Sequence, residues 1–122
     1  MNKRIKQLIT IAMDEATKSE HKQQMSAVIF KGKTVYSKGH NHSSRSVRSI
    51  NKNFCRWPTS IHAEVDAIIK AKRDLKGMSI LIIRVKNNML KLAKPCRHCL
   101  SYLTYVGIKN IYYSNNGNIY KL

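Results

Sequence analysis

The sequence predicts an α/β protein, a three-layer α/β/α sandwich on a five-stranded mixed sheet whose last two strands form an antiparallel hairpin. Three observations carry this. Apolar residues recur at helical spacing in three segments, and a continuous β-branched run lies between the second and third of them. Two glycine-containing turn signals, Lys31-Gly32-Lys33 and Asn116-Gly117, each stand between short apolar runs. At 122 residues the chain suits one domain spanning 1–122, and no internal repeat, linker or low-complexity tract divides it.

In residues 4–16, Ile5, Leu8, Ile9, Ala12 and Ala16 share one helical face while Lys3, Lys6 and Gln7 stay wet. Residues 26–30 and 34–37 read as two antiparallel strands around Gly32. Residues 40–60, HNHSSRSVRSINKNFCRWPTS, have no periodicity, and a connection that long in a small domain is usually functional. Ile61, Val65, Ile68 and Ile69 then mark a second helix, with Pro58-Thr59-Ser60 to start and cap it and His62 and Glu64 in its first turn. Residues 78–85, MSILIIRV, read as a central strand buried on both faces and ended by Lys86-Asn87-Asn88. A third helix over about 96–106 follows, with Pro95 in its first-turn slot and Gly107 at its left-handed end. Residues 111–113 and 119–120 close the chain as a hairpin through Asn116-Gly117.

Composition narrows the function classes. No apolar run reaches the roughly 18 residues of a membrane span, so no membrane partner is expected. The basic N-terminus is interrupted by Asp14, Glu15 and Glu20 and reads as a helix, not a signal peptide. Three cysteines, two of them in Cys96-x-x-Cys99, point to metal or redox chemistry in a reducing compartment, with the cytoplasm expected and the nucleus as the alternative. The charge of +17, from 23 Lys and Arg against 6 Asp and Glu, suits a phosphate-bearing partner, either a nucleotide or nucleic acid held on a basic surface. A merely solvated lysine-rich surface accounts for the same composition equally well.

The chemistry concentrates in His62-Ala63-Glu64 and Pro95-Cys96-x-x-Cys99, the H-x-E…P-C-x-x-C pattern of zinc deaminases. One imidazole and two thiolates make a three-ligand zinc site that leaves the fourth tetrahedral position open for water. Cysteines at i and i+3 face one side of a helix, and a helix N-terminus favours their thiolate forms. Glu64, two positions from a ligand, is placed to shuttle protons between that water and a substrate. A redox Cys-x-x-Cys would leave the His-Ala-Glu unexplained, whereas an acid at a helix start has a purely electrostatic reading as well. His98 is expected on another helical face and exposed. Cys55, His21, His40 and His42 receive no role.

On these motifs the chain resembles the cytidine and deoxycytidylate deaminase superfamily, from the first helix to the last strand. The resemblance implies hydrolytic exchange of a ring amino group for an oxo group with release of ammonia, Zn2+ as cofactor, and homodimers or homotetramers. It also implies that Asn41, ending the second strand, contacts the sugar, and that the backbone of Ala63 holds the base edge. Relatives acting on free cytidine carry cysteine at the position of His62 and an acid at that of Ser43, so both residues disfavour a free ribonucleoside. The short turn at 114–118 nonetheless resembles those same relatives. In the long basic loop, Trp57 and Phe54 are candidates to stack on a base, and Arg45, Arg48 and Arg56 to meet phosphate. The expected substrate is cytosine in a nucleoside or nucleotide. The alternatives are an RNA or single-stranded DNA base, and a catalytically silent relative that keeps zinc and binds nucleic acid or a partner.

Overall fold

The computed structural model describes residues 3–19, 24–41 and 62–122. Helix α1 (Lys3–Ala16) leads to strands β1 (Gln24–Lys31) and β2 (Thr34–His40), followed by α2 (Ala63–Ala71), β3 (Ser79–Lys86), β4 (Met89–Lys91), α3 (Arg97–Tyr105), β5 (Asn110–Asn115) and β6 (Asn118–Lys121). The strands form one mixed sheet in the order β2-β1-β3-β5-β6, in which only the β3–β5 pair is parallel.

Strand β3 lies in the middle and explains its own apolar run. Ile80 and Ile82 face the side packed by α2 and α3, together with Ala27 and Ile29 of β1. Leu81 and Ile83 face the other side, with Val28, Phe30 and the α1 residues Leu8, Ala12 and Ala16. Helices thus cover both faces of the sheet, as the order of elements predicts. Ile5 and Ile9 pack partly buried against the second cluster, so the expected α1 face is the one that is used.

The sheet has six strands where five were expected, because β3 does not simply stop at Lys86. Asn87 (φ 52°) and Asn88 (φ 61°) turn the chain back through two left-handed residues, and Met89–Lys91 pairs antiparallel with β3 as β4. The same geometry closes the final hairpin, where Asn116 (φ 48°) and Gly117 (φ 81°) join β5 to β6 in the two-residue turn that matches strand twist. Helix α3 ends as read. Gly107 is left-handed (φ 88°), its N–H donates to the Thr104 carbonyl and that of Ile108 to the Leu103 carbonyl, the paired bonds of a Schellman cap.

Two expectations about helix starts need correction. The N-cap of α2 is His62, not a residue of Pro58-Thr59-Ser60, so His62 flanks the first turn rather than lying in it. The N-cap of α3 is Cys96, which puts Pro95 one residue outside the helix instead of in its first turn. In both cases the residue at the cap makes no side-chain capping bond, and its donor atom is left for another use.

Helix α2 rests unusually close to β2. Its sheet-facing residues Ala63 and Ala67 are fully buried, and Ser37 Oγ of β2 donates to the Ala67 carbonyl at 2.6 Å. A Cβ at Gly39 would sit 2.4 Å from the Ala67 backbone nitrogen and 2.9 Å from the Ala63 carbonyl oxygen. Only glycine fits there. Among the described residues, no helix is long and apolar enough to cross a membrane.

Gly39→Ala is therefore expected to destabilise the fold by about 2–3 kcal/mol, because the obstructing atoms are backbone and cannot rotate away. Urea unfolding at neutral pH checks this; a loss below about 0.5 kcal/mol, typical of a neutral surface change, would contradict the packing described.

Candidate metal centre

Helices α2 and α3 bring their N-termini together on one face of the sheet. His62 at the start of α2 and Cys96 and Cys99 at the start of α3 offer ligand atoms that all lie within 4.8 Å of one another. The Cys99 sulfur is 3.5 Å from His62 Nδ1. In a tetrahedral site with Zn–S near 2.3 Å and Zn–N near 2.0–2.1 Å, sulfur and nitrogen ligands stand roughly 3.5–3.6 Å apart. The donor set and its spacing fit zinc. Both cysteines are free thiols, Cys99 fully buried and Cys96 exposed, so the cluster has one protected and one open side.

The thiols are strongly coupled. A hydrogen bond from Cys99, outweighing burial, holds Cys96 well below the usual thiol range, at about 4. The same bond, with burial and the neighbouring Glu64 charge, pushes Cys99 far up. The protein alone stabilises one thiolate next to one thiol, and a bound cation removes the cost of the second deprotonation.

Glu64 is 2% exposed, and its Oε1 has no hydrogen-bond partner. Burial pushes its carboxyl above the ordinary range, against the lowering effects of its own backbone N–H and the Cys99 thiol. An unpartnered buried carboxylate oxygen costs stability, so its presence beside three ligand atoms marks a site kept for chemistry.

Asn41 directly follows β2 and ties it to β1. Its side-chain Oδ1 accepts from the Met25 N–H at 3.0 Å, and its own N–H donates to the Met25 carbonyl at 3.3 Å. Ala63, the first residue of α2, is buried against Gly39. Ser43, Phe54, Trp57, Arg45, Arg48, Arg56, Cys55, His42 and His21 lie outside the described residues, as does the side chain of His98.

The sequence reading missed the group that fastens α2 from outside the cluster. His40, given no role, ends β2 with its Nδ1 2.8 Å from Glu15 Oε2 of α1, while its backbone N–H donates to Asp66 Oδ2 of α2 at 3.0 Å. Lys18 pairs with Glu15 at 3.1 Å and Lys70 with Asp66 at 2.8 Å. Glu15 and Asp66 are 2% and 5% exposed, so two buried carboxylates meet at one histidine. Two acids at helical core positions facing a strand-end histidine were the available signal.

With this geometry in view, the comparisons with known proteins assign the class. The chain belongs to the cytidine and deoxycytidylate deaminase family, whose zinc-binding region matches residues 2–115. An uncharacterized deaminase from the luxG 3′ region of Aliivibrio fischeri is 29% identical over 92 residues, which cover 73% of this chain and 56% of that protein. The chain thus spans little more than half the length of that relative. Among solved structures, the dCMP deaminase of cyanophage S-TIM5 is similar in its apo form, with a TM-score of 0.68 at 22% identity over 94% of this chain and 86% of that one. Its complex with dCMP and dUMP matches with a TM-score of 0.64 at 18% identity, over 93% and 82% of the two chains. RibD of Acinetobacter baumannii matches with a TM-score of 0.59 at 16% identity, over 91% of this chain and 28% of that one. At these identities the likeness is one of fold, and it bears out the cytidine deaminase-like sandwich.

The Glu15 cluster carries a pH signature. Burial pushes the Glu15 carboxyl up, but hydrogen bonds from His40 and Lys18 and the charge of Lys18 outweigh it and hold it below the ordinary 4.5. Its folded value is depressed, so its contribution to stability is present above 4.5 and lost as the pH falls through the folded value. Glu15→Gln is expected to lower the urea midpoint at neutral pH and to flatten its decline in acid. Parallel acid profiles for the two proteins would contradict the assignment.

Proposed function

We propose that this chain is a hydrolytic deaminase that converts cytosine in a nucleoside or nucleotide to uracil, releasing ammonia. The observation that carries the reading is the buried, unpartnered Glu64 Oε1 beside the His62, Cys96 and Cys99 cluster. Held by those three residues, zinc supplies Lewis-acid activation of water at neutral pH. Glu64 takes a proton from that water on its unpartnered oxygen and delivers it to the ring nitrogen next to the amino-bearing carbon. A second transfer through the same carboxyl protonates the departing amine. The raised Glu64 carboxyl suits both directions, since a group that holds its proton more firmly than an ordinary carboxylate is the better base and remains able to return it.

Substrate orientation falls to the residues beside the cluster. The backbone of Ala63 holds the base edge at the start of α2, and Asn41 holds the sugar, its Oδ1 anchored on Met25 N–H so that the side-chain amide is fixed in direction. The nucleotide complex of the fold relative, with dCMP and dUMP bound, supports a phosphorylated substrate here. A second reading, deamination of a base within RNA or single-stranded DNA, is favoured by the charge of +17, which suits a phosphate backbone.

The test is mass spectrometry on zinc-loaded protein incubated with cytidine, deoxycytidine, their monophosphates, adenosine, guanine and short oligonucleotides, scored for amino-to-oxo exchange. A cytosine nucleoside or nucleotide is expected to turn over, and Glu64→Gln to reduce the rate by at least about 100-fold while retaining zinc. Conversion of an oligonucleotide alone would establish the second reading. Turnover unaffected by Glu64→Gln would overturn the mechanism.

A further inference from the structure

The sheet register aligns a row of residues that the reaction as described does not use. Met25 pairs with Arg84, and Arg84 in turn with Lys91. Asn41 joins the other side of Met25 through its two hydrogen bonds. Asn41, Met25, Arg84 and Lys91 therefore cross four neighbouring segments in one line. Residues paired across a sheet point to the same face, and this face is the one that carries the metal centre. The row two residues back is Gly39, Ala27 and Ile82, where Gly39 touches the backbone of Ala63 and Ala67 in α2. Val85 and Leu90, next to Arg84 and Lys91, belong to the opposite core under α1. The Arg84 row thus lies roughly 7 Å farther along the strands from the residues supporting α2. Lys91 is five residues ahead of Cys96.

Two cations directly opposite one another repel, and a strand pair ordinarily avoids that arrangement. Among the described residues, neither Arg84 nor Lys91 has an acidic partner. Arg84 Nε is buried without a hydrogen-bond partner, although the residue as a whole is only half-buried. A guanidinium left partly desolvated and uncompensated, facing an ammonium, is an arrangement that an anion shared by both would satisfy. A phosphate does so best, since the guanidinium fork matches its oxygens and a neutral carbonyl would leave the charge uncompensated.

We infer that Arg84 and Lys91 form a phosphate-binding subsite beside the metal centre and set a preference for phosphorylated over unphosphorylated cytosine substrates. This rests on the deaminase reading above. Asn41, two strands away in the same row, would stand roughly 10 Å from Arg84, which separates the sugar contact from the phosphate contact. The phosphate can come from a free mononucleotide or from a phosphodiester in a strand, and the binding experiment separates these.

Titration calorimetry on the zinc-loaded full chain, in a Glu64→Gln background that prevents turnover, compares deoxycytidine, dCMP and a short cytosine oligonucleotide. A phosphorylated ligand is expected to bind about 30-fold more tightly than deoxycytidine. Arg84→Met is expected to reduce that advantage below about 3-fold and Lys91→Met to reduce it in part, while the affinity for deoxycytidine stays unchanged. Arg84→Lys, which keeps the charge, is expected to retain part of it. Loss on dCMP identifies a monophosphate subsite, and loss confined to the oligonucleotide identifies a phosphodiester one. An advantage that is absent, that survives Arg84→Met, or that falls in step with deoxycytidine affinity would overturn the subsite. Failure of the wild-type chain to deaminate any cytosine compound is read separately, and it would count against the deaminase reading instead.

Discussion

The contact between α2 and the backbone of β2 decides where the chemistry can be. Ala63 and Ala67 on the helix meet Ser37 and Gly39 on the strand, and because every side chain at this seam is small, the two backbones approach until a single Cβ would not fit. Dispersion attraction across such a seam is weak for any one pair of atoms and substantial in sum. More important for function, a seam between backbones leaves no slack. The helix start is held at a fixed height over the sheet, and with it the His62 ring and the Glu64 carboxyl. Helix α3 is placed independently, by the parallel pairing of β3 with β5 that follows it and by the Schellman cap at Gly107. Two separately anchored helix starts then converge on one point, which three ligand atoms from two distant stretches of sequence require.

The two groups of buried acids show how stability is divided over the molecule. Glu15 and Asp66 are buried with partners, and their network joins α1, β2 and α2. Glu64 is buried just as deeply, but with an oxygen that has no partner. The first arrangement contributes to the fold, while the second works against it, and the contrast within one helix separates scaffold from working site. A fully satisfied network is stiff, so it suits the task of holding a less favourable neighbour in place.

Much of this was legible in the sequence because the residues concerned carry local signals. The His-Ala-Glu and Pro-Cys-x-x-Cys motifs fix ligand types and spacing, the β-branched run at 78–85 can only be a strand buried on both faces, and Asn116-Gly117 has few structural uses other than a tight turn. What escaped depends on partners far away in the chain. Asn87-Asn88 read as the end of a strand because the three residues of β4 are too few to show alternation; they pair only because β3 extends past the point where β5 leaves it. His40 carried no local signal because Glu15 lies 25 positions earlier and Asp66 26 positions later. Arg84 was lost in an apolar run, and only the sheet register sets it opposite Lys91. Pro95 and His62 were each misplaced by one helix position, since cap identity depends on backbone angles that neighbouring residue types specify loosely.

The central claim is that this fold builds an open three-ligand zinc site, and X-ray absorption at the zinc edge tests it most directly. For the zinc-loaded chain, two sulfur ligands near 2.3 Å, one imidazole nitrogen near 2.0–2.1 Å and one exchangeable solvent oxygen are predicted. A closed shell of four protein ligands, or a spectrum unchanged by Cys99→Ser, would contradict the account.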